Sequence, residues 1–423
     1  MNPMFVSRER ALPLVLALAA LVHLTVFVVN DNHLDGDSAS YLAPARSMAS
    51  GDGFVDPDYR RTPGYPLFLL LFAPFDFQPR AIAAGQHAIT ILSTALVYLL
   101  GLKITGEWRI GALAATLFTI DLPTLNMTNK VYTETLFTVT LLGVLLCLHS
   151  VVGNGARSLR LCVVAGVLMG WATFTRPVGV VYAASLACAL FVASSRWRIV
   201  RTVVFVLCAA FLPSLWAVRN DRATGVLFLS TIASWDLYYD HAAAVLVIDQ
   251  PGDYRENVKA AKKWLEERLE PSLGSLSPAE RSSVWRAKGL QVLSAHPWQT
   301  AKTHARAAAL IFLTPGAGIL TIGTLRPALN RLLVVYTLPC LLLSIVGGWR
   351  LWRDRRGPAW IAGAVILAAM LSPAYGEAYS RFRVPIMPVY AVAIATGAFA
   401  LTDRARAKRQ VLIDAGADVR VNA

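Results

Sequence analysis

The chain is punctuated by apolar runs of about 20 residues, the length at which an α-helix crosses the hydrocarbon core of a bilayer. The first, residues 11–29 ("ALPLVLALAALVHLTVFVV"), contains no Asp, Glu, Lys or Arg. Nine more follow, near 82–102, 108–124, 132–151, 159–175, 177–194, 200–217, 332–349, 359–374 and 384–401. In hydrocarbon every backbone N–H and C=O must find a partner within the protein, so such runs predict helices. Only 16% of the 423 residues are charged and 56% are hydrophobic, which excludes an ordinary soluble domain. The expected fold class is an all-α polytopic membrane protein. One integral domain, 1–423, should hold about 10–11 transmembrane helices. The first run is longer than a signal-peptide core and lacks a small-residue cleavage pattern, so it is expected to stay attached as an anchor.

Basic residues cluster at alternate connections: Arg8/Arg10, Lys103/Arg109, Arg157/Arg160, Arg196/Arg198/Arg201, Arg350/Arg353/Arg355/Arg356 and Arg404/Arg406/Lys408/Arg409. The positive-inside rule makes these cytoplasmic, with both termini inside. This dispersal at span ends accounts for the net charge of +14 without a nucleic-acid partner. A further apolar stretch, 305–322, would reverse the charge pattern if it crossed, so it is read as interfacial or re-entrant. "YPLFLLLFAPF", 65–75, is too short to span and is bounded by prolines, which suits the outer membrane surface. All five cysteines lie in apolar runs, where a thiol acts as a small hydrophobe, so neither a disulfide framework nor a cysteine metal site is expected.

Two outward loops are long, 30–81 and 219–304, while 402–423 forms a short cytoplasmic tail. In the second loop, Val258, Ala261, Leu265 and Leu269 share one face of a helix over 254–269. "SPAE" opens another, with Ser277 as cap, Pro278 at its first position and Glu280 closing a capping box. Both suit a lid on the bundle. No internal repeat or inverted pair of halves is found, which disfavours common transporter designs.

The unusual polar residues gather on the outward side. Asp35 and Asp37 stand in "DGDSASY", and Arg60 and Arg61 follow in the same loop. Asp121, Glu134, Arg176, Arg219, Arg381 and Arg383 lie at span ends. Ionisable groups at the membrane are costly and mark functional sites, although each of these could instead snorkel to the interface. Asp37, Ser38 and Ser40 equally suit a helix cap. Glu134 gains from its helix dipole without any further role. Asp121, two residues before Pro123, could simply end a helix. Arg176, in the tight turn "TRPVG", suits a phosphate partner. Arg381 and Arg383 in "YSRFRVP" suit bidentate phosphate binding or an aromatic and basic interface anchor. Trp235, Tyr238 and Tyr239 could stack on a sugar or form a lid core. Asp35 and Asp37 are compatible with a divalent cation, a weak metal signal from two carboxylates. No cofactor is otherwise implied, and His87 and His149 stand isolated in their spans.

In order along the chain, "DGDSASY", "RRTPGYPLFLLLF", "VYTETLF", "TRPVG", "WAVRNDRATG" and "RFRVPIMPVYAV" resemble bacterial glycosyltransferases of the GT-C fold, the superfamily of protein O-mannosyltransferases and lipid A aminoarabinose transferases. The resemblance implies a GT-C-type bundle with outer-face juxtamembrane helices in the bacterial cytoplasmic membrane. Its activity would move a sugar from a polyprenyl-phosphate-linked donor to an envelope acceptor on the outer face. The family's catalytic carboxylate, in an Asp-x-x-x-Tyr context, matches Asp37 with Tyr41, and Ser38 stands where many relatives have Glu, which weighs against protein mannosylation in particular. Asp37 is the expected general base of an inverting transfer. Arg61, Arg60, Arg176, Arg381 and Arg383 are the expected phosphate ligands. Tyr41, Asp35, Asp121, Glu134, Arg219 and Tyr238 would orient substrates. The alternatives are a lipid or solute transporter, and a non-catalytic subunit that binds lipid-linked sugar.

Overall fold

The computed structural model describes residues 8–30, 34, 36–153, 158–194, 197–316, 326–373, 375 and 380–403, and among them there is no β-strand. Part of the 305–322 stretch, the tail from Arg404, and Arg157 and Arg196 lie outside the described residues. Helix α1 (Arg8–Val29) leads to the short α2 (Gly36–Ser50) and to α3 (Gly64–Leu69), which tightens into a 3₁₀ segment ending at Phe75. A run of helices follows: α4 (Pro79–Thr105), α5 (Trp108–Thr119), α6 (Leu122–Thr128), α7 (Glu134–Gly153), α8 (Ser158–Thr175), α9 (Gly179–Ala193) and α10 (Arg198–Thr224). The loop expected to form a lid, called the lid below, holds α11 (Ile232–Trp235), a π-helical segment Asp236–Ala242, α12 (Ala243–Val247), α13 (Tyr254–Leu273) and α14 (Pro278–Ala295). Then come α15 (Pro297–Leu313), α16 (Arg326–Asp354), α17 (Arg356–Leu371) and α18, a 3₁₀ turn over Ser380–Ile386 that continues as helix to Asp403.

The ten expected apolar segments fall on helices, with 108–124 divided between two. By length and composition, α1, α4, α7, α10, α16 and α18 can cross a membrane, while α8, α9 and α17 are apolar but shorter. The span expected over 108–124 is broken: α5 and α6 meet at 56°. Pro123 has no N–H to continue a helix, and Asp121 starts a new one by accepting from the Thr124 N–H at 3.0 Å and the Thr124 hydroxyl at 2.7 Å.

The bundle core is apolar and continuous, with Phe118, Phe137, Leu141, Met169, Leu186, Phe205 and Val365 all buried. Its outer surface is apolar too: Leu207, Phe211 and Leu215 on α10 and Ile345 on α16 are more than half exposed. That surface suits lipid and would be unstable in water. Lipid tails are as apolar as leucine, so helices associate through close packing at small residues more than through water exclusion. Gly347 and Gly397 show this at the α16–α18 crossing, where a Cβ on Gly397 would lie 2.0 Å from the Leu343 carbonyl oxygen.

The lid has its own small core, in which Tyr238, Tyr239, Leu265, Leu273 and Trp285 pack together. Ser277 and Glu280 form the expected capping box at the head of α14. His241 stacks on Tyr375 at 4.3 Å, and His304 of α15 bonds the Tyr375 hydroxyl at 3.0 Å, tying the lid to the segment before α18. Carbonyls of Ile311 and Phe312 meet Arg383 beside Asp121, so α15 ends at the level of the α5–α6 break.

Gly397→Ala is expected to lower stability by about 1–3 kcal/mol through overpacking. Gly348→Ala, where a Cβ meets nothing within 4 Å, should be neutral. The check is the temperature at which each variant loses its monodisperse peak after heating in detergent.

Candidate active site

Helix α2 begins at Gly36, so Asp37 sits inside its first turn, and the Ser40 hydroxyl bonds the Asp37 carbonyl at 2.6 Å. Asp37 is therefore not the cap of this helix, and its carboxylate is turned to other partners. Oδ1 accepts from Arg61 Nη2 and Oδ2 from Arg381 Nη1, each at 3.0 Å. Arg61 also donates through Nε to Ser40 Oγ and through Nη1 to the Tyr41 hydroxyl, both at 2.9 Å. Positions 37, 40 and 41 share one helix face, so a single guanidinium grips all three. Burial works against the Arg61 charge, but Tyr41 and Asp37 outweigh it, and its pKa is raised above the ordinary arginine value.

Arg381 carries the network inward. Its Nε donates to Glu134 Oε1 at 2.5 Å, and its guanidinium lies 4.2 Å over the Tyr132 ring. Glu134, the first residue of α7, is fully buried. The same Oε1 receives Arg176 Nη1 at 2.5 Å, and Arg176 also reaches Thr133 Oγ1 at 3.1 Å. Five charges thus form one chain, Arg61, Asp37, Arg381, Glu134 and Arg176, with three positive and two negative members. Asp37, with 39% of its side chain accessible, is the most open of the five, and the arginines are between 10% and 15% exposed.

A separate buried pair lies beside this chain. Arg383 Nη2 meets Asp121 Oδ1 at 3.3 Å, and Arg383 Nη1 donates to the carbonyls of Ile311, Phe312 and Thr314. Arg383 is thus engaged in bracing the end of α15. The structure places three other expected site residues elsewhere. Arg60 pairs with Asp58 and lies over Trp235, Arg219 lies over Tyr59 and Trp216, and Tyr238 is buried in the lid core. Asp35 lies outside the described residues. Both Asp37 oxygens are engaged by arginines, and among the described residues no three His, Cys, Asp or Glu gather as a metal site.

A polar layer below the site was not legible in the sequence. Gln86 on α4 accepts from the Tyr65 hydroxyl at 2.8 Å and donates to the carbonyls of Thr128 and Lys130. His87 is not isolated: its Nδ1 meets His23 Nδ1, and its Nε2 meets Asn129 Oδ1, both at 2.8 Å. These bonds fix the segment 128–130, from which Tyr132, Thr133 and Glu134 follow. Gln86 and His87 interrupting an apolar run were the available signal.

Residues 60–218 match the profile of a family described as dolichyl-phosphate-mannose-protein mannosyltransferase. No curated protein sequence matches the chain. Among solved structures, the oligosaccharyltransferase AglB of Archaeoglobus fulgidus, in complex with an inhibitory peptide and a dolichol-phosphate, aligns over 95% of this chain and 51% of its own, with 16% identity and a TM-score of 0.57. The fold is the GT-C glycosyltransferase fold. The apo form of the same archaeal enzyme gives a TM-score of 0.57 at 15% identity, covering 95% of this chain and 52% of its own. ArnT from Cupriavidus metallidurans, bound to undecaprenyl phosphate, aligns over 90% of this chain and 77% of its own at 15% identity and a TM-score of 0.42. The chain spans about half the length of the archaeal enzyme. The family match takes in Arg61, Glu134 and Arg176, while Asp37 and Arg381 lie to either side of it.

Removing one partner of a buried ion pair leaves uncompensated charge, at a cost of about 3–5 kcal/mol. Glu134→Leu should therefore destabilise the bundle by about that amount, read as early loss of the folded peak on heating. Asp58→Asn, which removes an exposed partner of Arg60, should change stability by less than about 1 kcal/mol.

Proposed function

We propose that this protein is a membrane glycosyltransferase that moves a sugar from a polyprenyl-phosphate carrier to an acceptor hydroxyl, with Asp37 as general base. The observation that carries the reading is the position of Asp37, a half-exposed carboxylate held between two guanidinium groups at the head of a short helix beside the first span. In the transfer the acceptor oxygen bonds to the anomeric carbon as its proton passes to Asp37. The bond from that carbon to the phosphate oxygen breaks, with inversion, and the electron pair leaves with the carrier. The carrier phosphate then goes from one negative charge to two. Arg61, Arg381 and Arg176 exceed the two carboxylates by one positive charge, which suits a phosphodiester in the ground state and stabilises the departing monoester more strongly.

An apolar cavity of about 1050 Å³ lies between α9, α15, α16, α17 and α18, lined by residues such as Cys188, Ala308, Phe312, Leu341, Leu367 and Tyr390. It suits an isoprenoid tail. Phe312 lines it and also gives its carbonyl to Arg383, so the cavity reaches the level of the Asp121–Arg383 pair. Orientation follows from charge. Arg8, Arg10, Lys103, Arg109, Arg160, Arg198 and Arg201 sit at the helix ends opposite Asp37, which makes that end cytoplasmic and turns Asp37 outward from a bacterial cytoplasmic membrane.

The test is donor consumption in nanodiscs with a panel of polyprenyl-phosphate sugars and crude envelope acceptors. Asp37→Asn should lose at least about 100-fold in rate, the lower range for a general base, while remaining folded. Turnover at the wild-type rate by that variant would remove Asp37 from the role.

A further inference from the structure

The turn Asp56–Arg61 connects the lid to the grip on Asp37. Ser230 Oγ donates to the Arg60 carbonyl at 2.6 Å, Thr231 N–H to the Tyr59 carbonyl at 3.0 Å, and Thr231 Oγ1 to the Asp58 carbonyl at 2.8 Å. Three successive carbonyls of the turn are thus held by two adjacent residues at the entry to the lid, about 170 positions away in sequence. Thr231 is fully buried.

The turn would not hold its shape unaided. Tyr59 sits at φ +53°, a left-handed conformation that a bulky side chain rarely adopts and that persists only where the surroundings impose it. Here the surroundings belong largely to the lid and its base. Arg219 lies 5.5 Å over the Tyr59 ring, Phe228 meets that ring edge-on at 5.7 Å, Arg60 lies over Trp235, and Arg281 of α14 approaches Asp58 at 4.0 Å. On the other side of the turn, Arg61 N–H donates to Asp56 Oδ2 at 2.6 Å, and the Arg61 side chain reaches Asp37, Ser40 and Tyr41.

We propose that Ser230 and Thr231 are positioning residues: by pinning the carbonyls of Asp58, Tyr59 and Arg60, they make the grip of Arg61 on Asp37 depend on the seating of the lid. The inference rests on the reading of Asp37 as the base for its catalytic consequence, while the physical link between lid and Arg61 stands apart from it. A seated lid holds Arg61 on Asp37, Ser40 and Tyr41. A displaced lid lets the turn relax out of the left-handed conformation and carries Arg61 off the α2 face. Capture of an acceptor under the lid and alignment of the base become one event.

The experiment needs no substrate. Phenylglyoxal modifies accessible guanidinium groups, and peptide mass spectrometry of the full-length protein in nanodiscs reads the rate at each arginine. In the wild type, Arg61 should react slowly. Ser230→Ala and Thr231→Val, each removing one strap hydrogen bond, should raise the Arg61 rate about fivefold, the factor that corresponds to one ordinary hydrogen bond. Arg176 and Arg381, which are held by Glu134, should keep their wild-type rates and thereby report an intact fold. Ser230→Thr, which restores a hydroxyl, should return Arg61 to slow modification. An Arg61 rate unchanged in both strap variants overturns the proposal, as does an equal rise at Arg61, Arg176 and Arg381. Where turnover is available, the loss caused by Thr231→Val should vanish in an Arg61→Met background, because a residue acting through Arg61 has nothing further to lose there. A full additional loss in that background also overturns the proposal. Absence of sugar transfer by the wild type speaks against the glycosyltransferase reading and leaves the labelling result standing.

Discussion

A single oxygen, Oε1 of Glu134, holds the site together. It receives Arg176 from the turn between α8 and α9 and Arg381 from the head of α18, each at 2.5 Å, so three parts of the chain far apart in sequence converge on one buried atom. Two guanidinium groups cannot be brought that close in a dry interior without an anion between them. The carboxylate at the first position of α7 supplies it, and the polar layer of Gln86, His87, His23 and Asn129 sets the segment that delivers α7 there. Arg381 then reaches Asp37 Oδ2, while Arg61 holds Oδ1 from the other side. The order of dependence runs from the interior outward, and the most open carboxylate is the last to be placed.

Much of the fold was legible because the bilayer imposes a simple pattern. Apolar runs of spanning length give helices, and the ten expected segments fall on helices. The break at Asp121 was visible only as an ambiguity, since Pro123 and Asp121 fit both a helix end and a functional acid. In the structure Asp121 caps α6 through one oxygen and pairs with Arg383 through the other. The charged members of the site stood out because charge at a span end is rare. Their pairing did not, because Asp37 and Arg381 are 344 positions apart and no local pattern connects them.

Neighbouring residues show the limit most clearly. Arg60 and Arg61 are adjacent and chemically identical, yet one lies against the lid and the other clamps Asp37. Only the backbone of the turn decides which goes where, and its left-handed residue, Tyr59, has no signature in sequence because tyrosine rarely adopts that conformation. Tyr238 is a similar case. An aromatic residue in an outward loop suits a sugar platform or a lid core, and its burial against Tyr239 and Leu265 assigns it to the core.

The 3₁₀ turn at Ser380–Ile386 carries two arginines, both buried. With about three residues per 3₁₀ turn, side chains two apart point about 120° away from each other and so reach different neighbours. Arg381 therefore serves the Asp37 chain while Arg383 serves Asp121 and the last carbonyls of α15, including that of Phe312 on the wall of the apolar cavity. The two arginines fasten the head of α18 to two different neighbours. One short turn is thus a joint shared by the wall of the apolar cavity and the carboxylate network above it.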